Sequence, residues 1–252
     1  MFTDVELSDD AFLTGRLRLW QPIKGYRAAT DPVLLAAACP ALAGQSVLDL
    51  GCGAGAAALC LSVRVPGLRL SGLELQPAYA DLARRNATRN GVDLAVHEGN
   101  LSAMPAALRT GFDHVIANPP YYPRDGSPSP IVARDTALRV QTPLADWVAA
   151  AARRLVPGGC LTLIFATAGL PEVLVALPPR LGSATVLPLA PRIGKPALRL
   201  ILRARKGGRA GFRLLSPLVL HDGPAHDGDR ESYTAPARAV LRDVADLSGA
   251  FG

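Results

Sequence analysis

The chain is poor in the patterns that build disulfide frameworks, metal centres and membrane spans. Its four cysteines are scattered and form no Cys-x-x-Cys pair, so we expect reduced thiols in a cytoplasmic protein, without disulfides or a zinc site. None of the four histidines has a carboxylate or cysteine partner at ligand spacing, and we expect no metal. No apolar run approaches the roughly 20 residues that cross a bilayer. The acidic first residues lack the basic start of a signal peptide.

Acidic residues are absent from one long segment, residues 173–221. The whole chain has a net charge of +6, and this segment alone holds nine basic residues, so the remainder is mildly acidic. The nine are Arg180, Arg192, Lys195, Arg199, Arg203, Arg205, Lys206, Arg209 and Arg213. Such a region predicts a polyanionic partner, although charge alone favours a solvated surface about equally.

The order of predicted elements indicates an α/β fold. Apolar runs predict strands at 46–50, 68–74, 93–97, 112–117 and 160–165, and helices at 56–63, 76–90, 101–108 and 144–155 lie between them. This alternation is typical of a parallel, doubly wound sheet. Two further strands, 184–189 and 198–204, share a short basic link and predict an antiparallel addition at one edge.

The length of 252 residues suits one large domain or one domain with extensions. We expect an N-terminal arm and capping helix (1–44), a core (45–205) and a C-terminal extension (206–252) that form one compact domain. Residues 13–20 predict a strand or hairpin arm. Thr30 or Asp31 is expected to cap a helix that begins at Pro32.

A stiff loop follows the strand predicted at 112–117, where ligands bind in open α/β sheets. In Asn118-Pro119-Pro120-Tyr121, two prolines fix φ and remove two amide donors. The loop fits a planar substrate with an –NH2 group, because Asn118 and the Pro119 carbonyl can accept its hydrogens while Tyr121 stacks on its plane. By themselves, two prolines more often mark only a rigid turn.

A glycine turn, Gly51-x-Gly53-x-Gly55, stands between the strand at 46–50 and the helix at 56–63. Glycines let the backbone approach a nucleotide closely, and the helix N-terminus adds amide donors. Glu74 ends the next strand about 20 residues later, where an acid can bind both ribose hydroxyls. Asn100, after the third strand, is a candidate for the adenine amino group.

Two cofactors fit this turn. Gly51, Gly53 and Ala56 match the dinucleotide pattern G-x-G-x-x-A, but a lone match is weak. S-adenosylmethionine is favoured, because Asp49 can brace the loop near a positively charged methionine end and because the turn is combined with Asn-Pro-Pro-Tyr. Purely structural roles are the alternatives: Asp49 could cap the following helix, Glu74 could be a surface acid, and Tyr26 and Arg27 could be ordinary loop residues.

Residues 47–55, Glu74 and residues 118–121 together resemble a class I S-adenosylmethionine-dependent amino-methyltransferase. Three further stretches are similar to bacterial tRNA1(Val) adenine-N6-methyltransferases: 21–36, Ala133-Arg134-Asp135 and Pro191-Arg192. The likeness covers most of residues 15–205. Asn100 departs from the pattern, because many members of the family carry Asp there.

The resemblance implies a doubly wound, seven-stranded, mostly parallel Rossmann-like sheet with an antiparallel last strand. It also implies S-adenosylmethionine as cofactor, RNA, especially tRNA, as partner, and a segment Arg27–Asp31 that closes over the cofactor. The candidate cofactor-binding residues are Arg27, Thr30, Asp31, Asp49, Gly51, Gly53, Gly55, Glu74, Leu75, Asn100 and Leu101. The candidate catalytic residues are Asn118, Pro119, Pro120 and Tyr121. By analogy alone, Arg192, Lys195 and Arg199 face RNA.

Other functions share these motifs. A glutamine methyltransferase that acts on a release factor would use the same Asn-Pro-Pro-Tyr chemistry, and a non-catalytic RNA-binding module could keep the same fold. Guanine-amino and DNA-adenine methyltransferases are less favoured. The basic segment favours RNA, because phosphate neutralisation is the main source of affinity there. A flipped-out adenine would then enter between Asn118 and Tyr121.

Overall fold

A large mixed sheet forms the centre of the chain in the computed structural model, which describes residues 1–120, 142–224 and 232–251. The strands in chain order are β1 (Leu7–Phe12), β2 (Leu17–Pro22), β3 (Ser46–Leu50), β4 (Arg69–Glu74), β5 (Leu94–Glu98), β6 (Phe112–Ala117), β7 (Leu155–Ala166), β8 (Leu181–Ala190), β9 (Arg199–Lys206), β10 (Arg213–Leu214) and β11 (Leu218–Val219). The helices are α1 (Asp31–Ala38), α2 (Ala56–Arg64), α3 (Pro77–Arg89), α4 (Leu144–Arg154), α5 (Leu170–Ala176), α6 (Ala235–Arg242) and α7 (Ser248–Phe251).

The sheet has the order β8-β9-β7-β6-β3-β4-β5, with β10 and β11 along the outer side of β8. Strand β9 is antiparallel to both of its neighbours, β7 and β8, and the other pairings in this sheet are parallel. The predicted α/β fold with an antiparallel last strand is confirmed. That strand, β9, lies between β7 and β8, so the two strands predicted at 184–189 and 198–204 form the expected antiparallel addition on one side of the sheet.

Both faces of the sheet are covered, which explains why its central strands are apolar throughout. Val47, Leu48 and Leu50 of β3 are fully buried. One core cluster joins α1, α2 and the C-terminal helices, as Leu34, Leu59 and Val240 illustrate, and a second lies under α4 and α5. The first cluster thus draws side chains from all three predicted segments, whose boundaries stay predictions.

Several element boundaries differ from the expected ones. Of the helix predicted at 101–108, only the 3-10 turn Ala106–Leu108 forms, because Pro105 removes an amide donor in the middle of the segment. Strand β7 starts at Leu155, so Pro157-Gly158-Gly159 belongs to a strand and not to a helix end. Thr30 occupies the N-cap position of α1 but makes no capping hydrogen bond through its side chain.

The N-terminal arm is a hairpin of β1 and β2 in which Leu7 pairs with Pro22 and Phe12 with Leu17. The predicted strand 13–20 is therefore only half correct, because Leu13, Thr14 and Gly15 form a turn at positive φ. The Trp20 ring lies against Arg85 and Arg89 of α3, with guanidinium carbons 5.0 and 4.6 Å from its centroid.

A buried amide fastens this hairpin to the core. The Asn86 side chain accepts from the Trp20 amide at 2.8 Å and donates to the carbonyls of Trp20 at 3.1 Å and of Ala54 at 3.0 Å. Asn86 is fully buried. One side chain therefore links β2, α3 and the loop that precedes α2.

In the described ranges, no helix combines the length and the apolar composition needed to span a bilayer. A search of the same residues finds no group of three or more His, Cys, Asp and Glu side chains that could hold a metal ion.

We expect Asn86→Ala to lower the free energy of unfolding by about 2–4 kcal/mol, because it leaves three backbone groups without partners where water cannot replace them. Urea unfolding followed by circular dichroism measures this. Asn90→Ala is the matched control, since Asn90 pairs with the amide and carbonyl of Arg18 in the same way but is only half-buried. Equal losses in the two variants would contradict the assigned role of burial.

Candidate active site

A cavity of about 730 Å³ opens at the carboxyl ends of β3, β4 and β6. Four segments form most of its wall: the turn after β3, the end of β4 with the residues after it, the loop after β6, and the stretch that leads into α1. Its volume lies within the roughly 300–1,000 Å³ of small-molecule sites. The edge of the sheet at which it opens is the one predicted from the order of the elements.

The turn after β3 needs glycine for both conformation and space. Gly51, Gly53 and Gly55 have φ of 68°, 54° and 85°, in the left-handed region. The Gly51 amide donates to the Leu73 carbonyl at 2.7 Å. A Cβ on Gly51 would lie 2.5 Å from Cη2 of Trp147. The indole of α4 therefore packs directly on the turn and forms part of the cavity wall.

Glu74 is a buried wall residue and not a surface acid. It is 7% exposed, and its two carboxylate oxygens accept from the amides of Gly53 and Gln76, each at 2.9 Å. A carboxylate offers about four acceptor positions, so Glu74 can hold the glycine turn and still accept from two ribose hydroxyls.

Asp49 is buried at the base of the cavity, where it is 2% exposed. Its carboxylate accepts from the Ala58 amide in the first turn of α2 at 3.3 Å. Burial raises the pKa of Asp49 to about 8; the nearby charge of Glu74 also raises it, and the Ala58 hydrogen bond lowers it. The structure thus shows both features: Asp49 contacts the start of α2, as expected if it only capped that helix, and it also lines the cavity. A bound cation would favour the charged carboxylate.

Asn100, Leu75 and Leu101 line the same cavity, as expected for an adenine subsite. The side-chain oxygen of Asn100 accepts from the amide and the hydroxyl of Ser102, each at 3.0 Å. Those two bonds use its two lone pairs and leave the amide nitrogen. A bond from an adenine amino group to this oxygen is therefore not favoured by the geometry, and Asn100 offers its amide nitrogen as a donor instead.

The stretch before α1 is pinned to the N-terminal hairpin. The Arg27 guanidinium donates to the Asp10 carboxylate at 2.6 Å and to the Ser8 hydroxyl at 2.8 Å. Gln21, which is 2% exposed, accepts from the Ala28 amide at 2.6 Å and donates to the Ala28 carbonyl at 3.2 Å. Arg27 therefore borders the cavity while it fixes the position of the segment.

The end of the stretch before α1, at Thr30 and Asp31, also lines the cavity. The Asp31 carboxylate pairs with the Arg199 guanidinium at 3.2 Å. Arg199 also borders the cavity. This ion pair joins the start of α1 to the start of β9 across the rim.

The loop after β6 brings Asn118, Pro119 and Pro120 to the cavity. The Asn118 side-chain nitrogen donates to the Tyr26 hydroxyl at 3.3 Å. Tyr121, Tyr122 and residues 133–135 lie outside the described residues, so the predicted stacking by Tyr121 stays a prediction.

The three residues that were expected to face RNA occupy different surroundings. Arg192 is 8% exposed and donates to the backbone carbonyls of Asp222 and Gly223, so its guanidinium holds the chain together and is not offered to RNA. Lys195 is exposed in the loop between β8 and β9. Arg199 is half-buried at the rim of the cavity.

Sequence reasoning assigned no role to three residues that shape the site. Gln21 and Tyr79 hold the stretch before α1, and Trp147 packs on Gly51 with a buried indole N–H that has no hydrogen-bond partner among the described residues. Gln21 lies in the stretch that resembles the family, which was the available signal. Tyr79 and Trp147 carry no such signal, because each reaches the site from a helix outside that stretch.

The residues present fit S-adenosylmethionine. At Gly53 an added Cβ would meet only Tyr26 Cε1, at 3.9 Å, among the described residues, so the turn leaves open space there. Glu74 keeps acceptor positions for a ribose, and Asp49 supplies a buried carboxylate on the wall of a cavity that is large enough.

Comparison with known proteins identifies the family. Residues 29–177, more than half of the chain, match the family model of the methyltransferase small domain. The chain belongs to this family. It is 32% identical over 190 residues to a tRNA1(Val) (adenine(37)-N6)-methyltransferase of Aeromonas hydrophila, which covers 72% of this chain and 77% of that relative. S-adenosylmethionine is the cofactor of this methyltransferase fold.

Two further similarities bear on the fold and the substrate. A release factor glutamine methyltransferase of Deinococcus radiodurans is 38% identical over 128 residues, which are 46% of this chain and 44% of the relative. This methyltransferase thus spans less than half the length of that relative. The solved structure of a predicted O-methyltransferase from Agrobacterium tumefaciens has a TM-score of 0.69 at 26% identity, over 86% of this chain and 97% of that chain.

We expect Asp49 to make cofactor binding depend on pH, because its carboxyl group lines the cavity. Without a ligand the carboxyl group is largely protonated below about pH 8, and a cation in the cavity favours its charged form. We expect the affinity for S-adenosylmethionine to rise from pH 6 to pH 8, by at most about tenfold per pH unit for one released proton. Titration calorimetry measures this, and Asp49→Asn should flatten the profile. A variant with the wild-type pH profile would contradict the assignment.

The Asp49 carboxyl group has the opposite effect on the stability of the fold, which falls as the pH rises. The pKa of Asp49 is raised from 3.8 to about 8 in the folded chain, so the protonated carboxyl group stabilises the fold fully below about pH 3.8. That stabilisation is lost as the pH rises from about 3.8 to about 8.

Proposed function

We propose that this methyltransferase transfers a methyl group to the exocyclic amino group of an adenine in RNA, with tRNA as the favoured substrate. One observation carries the proposal: the Asn118 amide and the glycine turn, held by Glu74, line the same cavity. The same cavity thus holds a candidate acceptor for an amine and the turn expected to bind the cofactor, which supports the proposal. The similarity to the tRNA adenine-N6-methyltransferase of Aeromonas hydrophila supports adenine as the base.

The chain's own residues bind and orient the amine. When bound, S-adenosylmethionine supplies an electrophilic methyl group on a sulfonium. Asn118 Oδ1 and the Pro119 carbonyl each accept one hydrogen of the target –NH2 group, which draws its nitrogen towards tetrahedral geometry and directs the lone pair into the cavity. Two prolines fix the backbone of this acceptor pair. The methylated nitrogen is cationic and strongly acidic, so it loses its extra proton to solvent. Catalysis then rests on positioning and electrostatics and needs no strong general base.

The basic segment provides the proposed RNA surface. Five of its nine basic residues are exposed: Arg180, Lys195, Arg205, Arg209 and Arg213. Lys195 is favoured as the RNA contact near the site, because the loop from β8 to β9 ends at Arg199, which lines the cavity. Arg199 remains a candidate, whereas Arg192 is a structural residue. A tRNA substrate also supports the predicted cytoplasmic location.

A glutamine side chain of a release factor is the second candidate substrate, because its amide also carries an –NH2 group. The relative from Deinococcus radiodurans supports it. RNA is favoured because the similarity to the tRNA enzyme of Aeromonas hydrophila extends over 72% of this chain against 46%.

Asn118→Ala should abolish methyl transfer and leave the affinity for S-adenosylmethionine within a few-fold, because the side chain holds the amine and not the cofactor. Glu74→Ala should instead weaken cofactor binding. Turnover with labelled cofactor and calorimetric affinity together separate the two effects. Near-normal turnover by Asn118→Ala would overturn the proposed mechanism.

Substrate choice is tested by incubating the protein with labelled cofactor and either tRNA transcripts without modifications or a purified bacterial release factor. We expect label in RNA, as N6-methyladenosine when the digested product is analysed by mass spectrometry, and none with Asn118→Ala. Label in the release factor alone would replace the proposed substrate with the second candidate.

A further inference from the structure

The cofactor side and the substrate side of the cavity meet at one hydrogen bond. Tyr26 belongs to the stretch that leads into α1, and Asn118 follows β6. Both residues line the cavity, and the Asn118 side-chain nitrogen donates to the Tyr26 hydroxyl at 3.3 Å. The amide oxygen therefore lies on the other side of the carboxamide from Tyr26.

The backbone of Tyr26 is itself held in place. The hydroxyl of Tyr79 accepts from the Tyr26 amide at 2.9 Å and donates to the Tyr26 carbonyl at 3.1 Å. Tyr79 is 5% exposed, and the ring of Phe2 meets its ring edge-on with centroids 5.3 Å apart. A buried side chain of α3 thus fixes the residue whose hydroxyl contacts Asn118.

The orientation of the Asn118 carboxamide decides whether it can work. Its oxygen accepts and its nitrogen donates, and the two ends have nearly the same shape, so neighbouring hydrogen bonds select the orientation. If the group turned over, its N–H bonds would meet those of the target amine. Donation from the nitrogen to Tyr26 also increases the negative charge on the oxygen, which strengthens it as an acceptor.

We propose that Tyr26 is a positioning residue for methyl transfer, which holds the Asn118 carboxamide with its nitrogen towards Tyr26 and its oxygen towards the target amine. This role rests on the proposed function, since it concerns the amine of that reaction. The Tyr26 hydroxyl acts through Asn118 and does not contact the reacting atoms.

Tyr26→Phe removes the hydroxyl and keeps the ring that lines the cavity. We expect kcat to fall about three- to tenfold, the range that the loss of one hydrogen bond gives, while the dissociation constant for S-adenosylmethionine changes less than about twofold. Tyr233→Phe is the matched control, because Tyr233 stacks on His221 with centroids 4.7 Å apart and does not line the cavity. Thermal unfolding checks that each variant is folded.

A double-mutant cycle with Asn118→Asp tests whether Tyr26 acts through the amide. Both oxygens of a carboxylate accept, so turning the group over has no consequence. In that background Tyr26→Phe should change kcat less than about twofold. An equal loss in both backgrounds would overturn the proposal, as would a parallel loss of cofactor affinity in the single variant.

Side-chain amide signals test the contact without turnover. In protein labelled with ¹⁵N at asparagine, the Asn118 signal is identified by its loss in Asn118→Asp. It should move in Tyr26→Phe and stay in place in Tyr233→Phe. An unmoved signal overturns the Tyr26 proposal whatever the activity. Suppose instead that the signal moves in Tyr26→Phe but the wild-type protein methylates neither RNA nor release factor. That result overturns the proposed function and leaves the contact between Tyr26 and Asn118 established.

Discussion

The close approach of other groups to the backbone of the glycine turn is the constraint on which the site depends. Gly51 has no side chain, so the Trp147 indole of α4 packs on it from one side. From the other side, Glu74 and the Leu73 carbonyl hold the amides of Gly53 and Gly51. The turn is thus fixed before any ligand arrives, and the same contacts define the wall of the cavity.

The N-terminal hairpin extends this order to the opposite wall. Asn86 ties the hairpin to α3, and Gln21 and Arg27 tie the stretch before α1 to the hairpin. Tyr79 then fixes Tyr26, which meets Asn118. A chain of hydrogen bonds therefore runs from the arm to the loop after β6, and the arm borders the site although it contributes no strand to the main sheet.

Much of the fold was predictable because parallel α/β sheets leave a strong local pattern. The central strands are apolar over short runs, and proline and glycine mark most of their ends. Errors arose where local preference and packing disagree. Residues 157–159 look like a helix end but lie within β7, in the irregular stretch between its pairings of Leu155 with Phe112 and of Cys160 with His114. The sequence also does not show that β9 inserts between β7 and β8.

The sequence by itself determined the fold class, the glycine turn, the proline-rich loop after β6 and the family, because each depends on residues that are adjacent or regularly spaced in the chain. Tertiary structure alone decided that Trp147 covers Gly51, that Arg192 is buried against backbone carbonyls and that Tyr26 contacts Asn118. These contacts join residues far apart in the chain. Their geometry follows from how helices and loops pack on the sheet, and no local pattern records it.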